Sequence, residues 1–463
     1  MSMSVCEILE LCDGTLYSGN LDVICSNFTK DTRNLNVGDT YIGINGENYN
    51  GNDFYMEAFE KGANCVILEQ EFFKPNPTFK SDKPIILVKD SIIALRDIAS
   101  YIRKKSSAIF IGVTGSVGKT STRDMIYSVL NENFSTLKTE GNNNNNIGLP
   151  LTIMRLKDEK AVVIEMGMNH LGEISYLSKI TKPNIGVITN VGTAHIGELG
   201  SRENILKAKL EIRDGMDQQD ILILNNDCDL LNNYYLNNKE NVISVGIDNI
   251  SDFMAVDIEL YQDSSRFNIL YKNKKTNIYC PIPGKVFVYN CLVAFAVGTL
   301  LNIEVSKIQD GIKNFKLTKN RMEIIELKNN IKIINGTYNA SVDSMKSSLD
   351  ILKQQKNRKI AVLGSMLELG DFSKELHEEV GNYVVKNNID ILITVGIEAK
   401  NIGNKALELG FNSKNLYCFE NNLEAINILK EIIKNDDCIL LKASNGLKFN
   451  EILNEIQNYI NSL

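Results

Sequence analysis

The chain has 463 residues, 43% hydrophobic and 23% charged, with a formal net charge of −7. That length exceeds one hydrophobic core and, at ~150 residues per domain, points to about three. The acidic balance excludes a protein whose affinity comes from neutralising a nucleic-acid backbone, although it leaves room for a small nucleotide in a local pocket. Nine cysteines, odd in number and never spaced C-x-x-C, suggest neither a disulfide framework nor a zinc site, so a reducing cytoplasm is the expected location.

The N-terminus, Met-Ser-Met-Ser-Val-Cys-Glu, lacks a basic region followed by an apolar stretch, so no signal peptide is expected. The first hundred residues read as short strands and turns, with Pro75, Pro77 and Pro84 close together, and form a small separate domain over 1–106. An apolar strand, Ala108–Val113, then leads into Thr114-Gly115-Ser116-Val117-Gly118-Lys119-Thr120-Ser121 and a helix with apolar Met125, Ile126, Val129 and Leu130. Glycines let backbone N–H groups curl around an anion, the helix N-terminus adds partial positive charge, Lys119 can reach the terminal phosphates, and Thr120 can hold Mg²⁺. The strict P-loop spacing would need glycine at Val113, so the loop is a variant. A nucleoside triphosphate is the expected ligand.

Further on, the runs Ala161–Ile164, Ile185–Val191 and Ile221–Leu224 alternate with helical patterns, which predicts a parallel sheet covered by helices over 107–318. The tract Asn142–Asn146 lies between Gly141 and Ile147-Gly148-Leu149-Pro150 and reads as a binding loop. Glu165 ends one apolar run and His195 follows the next, at the strand ends where open α/β sheets bind ligands; Glu165 is thereby placed to bind Mg²⁺. In the helical stretch Glu203–Ile212, Lys209 shares a stripe with Ile205, Ala208 and Ile212, while Lys207 does not. A buried lysine must be paired, neutral or modified, for instance as a carbamate that can ligate metal; a snorkelling lysine is the alternative. The apolar segment Cys291–Leu301 is too short to cross a bilayer and reads as a core helix. After Lys316 a second alternation, with strands Lys359–Leu363, Ile391–Val395 and Cys438–Leu441, predicts a third α/β domain, Rossmann-like, over 319–463.

Taken together these residues resemble the Mur ligases, the ATP-dependent amide-forming enzymes of peptidoglycan synthesis. The likeness runs through Asp31-Thr32-Arg33, the loop at 115–120, Gly141-Asn142 to Pro150, Glu165-Met166-Gly167-Met168-Asn169-His170, Ala194-His195, Ala208-Lys209, Asn320-Arg321, Tyr338-Asn339-Ala340, and Glu368-Leu369-Gly370 followed by His377. It is nearest to the branch that adds D-alanyl-D-alanine to UDP-N-acetylmuramoyl-tripeptide. The resemblance implies that Thr32 and Arg33 belong to a UDP-binding N-terminal domain and that Gly115, Ser116, Val117, Gly118, Lys119, Thr120 and Ser121 hold ATP. It implies Asn290 on the adenine side and Arg321 reaching the nucleotide. Thr120, Glu165, His195 and a carbamylated Lys209 would hold Mg²⁺, with Lys119, Lys209, His195 and Glu165 as the catalytic set. Asn142, Asn145, Asn146, Tyr338 and Asn339 would contact substrate.

Several positions depart from the family pattern. Val286-Phe287 replaces His-Asn, Asn335-Gly336 replaces Asp-Asp, Ser341 replaces Asn, Ser365 replaces Asp, and Lys442-Ala443-Ser444 replaces Lys-Gly-Ser. Altered nucleotide or amine preference, a phosphotransferase and a non-catalytic nucleotide-binding paralogue are the competing readings. No Asp-Asn-Pro-Arg element of the diaminopimelate-adding relative is present. No nucleic-acid partner and no membrane span are expected, and the chain is expected to be a monomer.

Overall fold

The computed structural model describes residues 2–76 and 81–462; Pro77 of the proline cluster lies outside them. Three main sheets follow one another along the chain. In the first, the strands run 15–18, 85–88, 65–69, 40–42 and 28–29 across the sheet. The first pair is antiparallel and the rest are parallel. This region also holds helix Ser91–Lys105, which the reading of strands and turns left out. Asp90 caps it by accepting from the N–H groups of Ile92 and Ile93, and Ala94, Leu95, Ile98, Ala99 and Ile102 make its buried stripe. Arg103 near its end donates to the carbonyls of Thr181 (2.7 Å) and Lys182 (2.8 Å), tying the first unit to the second.

The second sheet has nine strands, ordered 274–280, 265–271, 253–260, 242–246, 221–225, 185–188, 109–114, 161–165 and 136–138. From 136–138 to 253–260 neighbouring strands are parallel; the last two pairings are antiparallel. Every residue of Ala161–Glu165 is buried, as expected for a strand covered by helices on both faces. Two boundaries differ from the sequence reading. The expected strand Ile185–Val191 stops at Ile188: the Thr189 N–H still donates to the Thr114 carbonyl, but the Thr189 side chain and Asn190 bond the glycine loop. Beyond Leu224, the sheet gains 242–246 and an antiparallel meander absent from the sequence reading. Helix Lys285–Leu300 is buried on nearly all sides, in keeping with the core helix expected at Cys291–Leu301.

The third sheet runs 323–326, 332–336, 438–442, 359–364, 391–395 and 416–419. All its pairings are parallel except the first. One continuous apolar core passes through all three units, and two separate ones fill the other face of the first sheet and the far face of the third. No helix among the described residues is long and apolar enough to cross a membrane.

Candidate active site

The carboxyl ends of the central strands open into a cleft of about 420 Å³ whose opposite wall comes from the third sheet. Open parallel sheets bind ligands at this edge. From the central unit come Ser116, Val117, Gly118, Lys119, Ser121, Glu165 and His195; from the other side come Arg321, Tyr338 and Asn339.

The glycine loop is held in shape from the neighbouring strand. Asn190 Oδ1 accepts from the backbone N–H groups of Ser116 (3.1 Å) and Val117 (2.9 Å), and Thr189 Oγ1 donates to the Val117 carbonyl at 2.6 Å. Gly115 has φ +150°, and a Cβ there would lie 1.9 Å from Thr189 Oγ1, so no other residue fits. Gly118, at φ +85°, caps helix Lys119–Asn131. Lys119 bends back to donate to the Gly115 carbonyl at 2.7 Å. Burial lowers its ammonium pKa from the ordinary value; the Glu165 carboxylate opposes that and the Arg321 guanidinium adds to it.

Glu165 is 1% exposed and fully engaged. Its Oε2 accepts from Thr120 Oγ1 (2.8 Å) and Arg123 Nη1 (3.0 Å), and its Oε1 from Asn144 Nδ2 (2.9 Å). Arg123 also pairs with Asp124 at 2.8 Å, and Lys138 reaches the same Asp124 oxygen at 2.8 Å. Lys209 is buried, with 1% exposure, on helix Arg202–Leu210. Burial, and then the like charge of Lys119, push its ammonium pKa well below the usual range. His195 has a left-handed backbone (φ 65°) at the start of the short helix Ile196–Leu199. Its Nδ1 lies 2.9 Å from Glu368 Oε2, near enough for an ion pair but without hydrogen-bond alignment. That contact crosses from the central unit to the third. On the far wall, the Arg321 guanidinium stacks 3.8 Å from the Tyr338 ring centroid.

The structure thus gathers the loop residues, Glu165, His195, Arg321, Tyr338 and Asn339, with Thr120 buried directly behind Glu165. Other expected residues lie elsewhere. Asn290 is buried behind the loop, where its Oδ1 accepts from Thr122 at 2.9 Å. Thr32 and Arg33 belong to the first sheet unit: Thr32 donates to Glu57 at 2.9 Å and Arg33 pairs with Asp31 at 2.8 Å. Asn142, Asn145 and Asn146 do not line the cleft, and Asn145 instead accepts from the Gly148 N–H at 2.9 Å. The member of the asparagine tract that reaches the cleft is Asn144.

Sequence reasoning missed Arg123 and Asn190; it named Glu368 and Lys442 only as members of family motifs, without a role, and Asn144 only as part of the asparagine loop. Asn190 and Lys442 follow or end parallel strands, the same signal that found Glu165. Arg123 lies one turn after Thr120, on its face of the helix. Nothing local distinguishes Asn144 from four identical neighbours.

Comparison with known proteins assigns this architecture. Residues 113–298 match the Mur ligase middle domain and 320–445 the Mur ligase glutamate ligase domain. The UDP-N-acetylmuramoyl-tripeptide–D-alanyl-D-alanine ligase of Bacillus subtilis (strain 168) is 35% identical over 457 residues, 98% of each chain. The crystal structure of MurF from Acinetobacter baumannii superposes with a TM-score of 0.88 at 26% identity, covering 99% of both chains. MurF from Thermotoga maritima in complex with ADP gives 0.81 at 28% identity, over 94% of this chain and 98% of that one. The fold and cleft therefore define an ATP-dependent, ADP-forming ligase. Within that class, the chain belongs to the Mur ligase family, in the branch of the UDP-N-acetylmuramoyl-tripeptide–D-alanyl-D-alanine ligases (MurF).

Proposed function

We propose that this enzyme joins D-alanyl-D-alanine to UDP-N-acetylmuramoyl-tripeptide, converting ATP to ADP and phosphate, as a cytoplasmic step of peptidoglycan precursor synthesis. The observation that carries the reading is a cleft in which the glycine loop faces Arg321, Tyr338 and Asn339 of a different sheet, in a chain aligned end to end with such ligases. The division of labour follows 1–106 for the UDP substrate, through Thr32 and Arg33, 107–318 for ATP and 319–463 for the amine. A monomer suffices, because one chain supplies both walls.

A carboxylate is a poor electrophile, so the terminal carboxylate of the tripeptide first attacks the γ-phosphate to give an acyl phosphate, and the amine then displaces phosphate. Such chemistry is mostly positioning and charge neutralisation. The N–H groups of residues 115–121 and the helix dipole hold the phosphates, Lys119 leaves the Gly115 carbonyl to neutralise the one in transfer, and Arg321 approaches from the opposite wall. The residues present fit Mg²⁺. Thr120 and Glu165 are hard oxygen donors 2.8 Å apart. Among the described residues no three His, Cys, Asp or Glu side chains converge on one metal position, so substrate phosphates and water would complete its shell. Of two such ions, Thr120 would hold one at the phosphates while Glu165, His195 and a carbamylated Lys209 would ligate magnesium beside them, and the chemistry supplied would be charge neutralisation on the triphosphate. Burial of Lys209 supports the carbamate, since only the neutral amine adds CO₂.

The test is substrate omission. Phosphate release should require Mg-ATP, UDP-muramoyl-tripeptide and D-alanyl-D-alanine together, and release indifferent to the amine removes the ligase reading. GTP in place of ATP reads whether Val286 and Phe287, which line the cleft, alter nucleotide preference. Lys209→Ala should lose turnover by a hundredfold or more, ~3 kcal/mol, and regain part of it with added short carboxylic acids.

A further inference from the structure

Lys442 ends the strand Cys438–Lys442, is 6% exposed and lines the cleft. Its stem runs beneath Gly336, where a Cβ would come within 2.9 Å of the Lys442 Cδ. Its Nζ donates to the carbonyls of Asn339 (2.8 Å) and Gly336 (3.4 Å), on either side of Tyr338. A neutral primary amine has two N–H bonds and one lone pair. Two carbonyls use both N–H bonds, which leaves the lone pair free to accept.

We propose that Lys442 is the proton acceptor for the incoming amine, a role that rests on the ligase reading above. The substrate arrives as an ammonium, which cannot attack. It gives one proton to the Nζ lone pair, and the freed nitrogen pair forms the C–N bond at the acyl carbon. Collapse of the tetrahedral intermediate breaks the C–O bond to the phosphoryl group. Departing phosphate takes the second nitrogen proton, and Lys442 returns its own to solvent. The site suits this cycle: burial, reinforced by the Arg321 guanidinium, brings Lys442 down to about 7, so the neutral form is available at neutral pH. Arg321 is the charge that bears on it and stays ionised throughout; Tyr338 is the titratable side chain of the turn it holds.

The experiment separates the two half-reactions in Lys442→Gln. Acyl-phosphate formation is read without amine, by positional isotope exchange in ATP. Amide formation is read with D-alanyl-D-alanine, and also with hydroxylamine, a nucleophile already unprotonated at neutral pH. Dipeptide turnover should fall about a hundredfold or more, while isotope exchange and hydroxamate formation stay within about threefold of the parent. Retained exchange also shows that the variant is folded. Loss of exchange together with turnover would reduce Lys442 to a structural prop. A raised KM for the dipeptide with kcat unchanged would make it a carboxylate anchor, and unchanged turnover would remove it from the reaction; each overturns the proposal. On the unmodified enzyme, dipeptide turnover should decline as pH falls below about 7 relative to hydroxylamine turnover, and parallel profiles overturn it equally. If the unmodified enzyme makes no amide while exchange persists, the dipeptide assignment fails instead.

Discussion

Arg123 carries more of the site than its place inside a helix suggests. It is 1% exposed and bridges two buried carboxylates, Glu165 and Asp124, neither of which has another arginine within ion-pair distance among the described residues. Removing one partner from a buried ion pair leaves uncompensated charge, so Arg123→Met should cost about 3–5 kcal/mol, read as a lower urea midpoint. The pH dependence has a definite sign. Burial alone would raise Asp124, but Arg123 and Lys138 more than offset it and its carboxyl stays below the ordinary value. Its contribution is therefore complete above the unfolded carboxylate value and is lost as pH falls through the lower folded value. In Arg123→Met that acid limb should shrink, and circular dichroism across an acid titration would show a curve parallel to the parent if this assignment is wrong.

At the level of elements, the glycine loop does not hold itself. Gly115 and Gly118 permit its turns, but Asn190, on the loop after a neighbouring strand, fixes two of its N–H groups. Asn190→Ala removes the one oxygen that accepts both hydrogen bonds while leaving the strand intact. Losing them should weaken ADP binding by roughly 1–2 kcal/mol, or about tenfold, by titration calorimetry. An unchanged affinity would mean that Thr189 and the turn geometry suffice. The glycine pattern and the strand before it were readable because they are local. Asn190 was not, since it reaches Ser116 across 74 residues of chain, and only the parallel pairing of strands 109–114 and 185–188 brings the two together. The same holds for helix Arg202–Leu210. Its period placed Lys209 on the buried stripe, but the charge of Lys119 nearby emerges only from the fold.

For the whole molecule, the relevant joint lies between the second and third sheets. Gly197 donates its N–H to the Glu368 carbonyl at 3.2 Å, Thr193 donates to Asp343 Oδ2 at 3.3 Å, and His195 faces Glu368 beside them. A Cβ on Gly197 would meet that carbonyl oxygen at 2.7 Å and the Gly370 nitrogen at 2.8 Å. Both obstacles are backbone, so Gly197→Ala should hold the units apart: a larger radius of gyration by X-ray scattering, and lower kcat. Identical scattering and kinetics would show that the joint adjusts freely. Nucleotide should also stabilise the parent as a unit, by about 2.7 kcal/mol at a hundredfold excess of ADP over its Kd, and a thermal midpoint indifferent to ADP would contradict nucleotide binding to the folded state.

The sequence by itself determined the parts whose physics is local or periodic: the glycine turn before a helix, the apolar runs of the parallel strands, the inward lysine, and the carboxylate and histidine at strand ends. Only the tertiary structure decided which asparagine of five meets Glu165, that Arg123 binds it from behind, that the central sheet continues into an antiparallel meander, and that Lys442 reaches the carbonyls of Gly336 and Asn339. Those choices depend on strand order and on the docking of one sheet against another. Contacts between residues a hundred positions apart leave no period or spacing in the chain, because the free energy that selects them comes from burial shared across the assembled core.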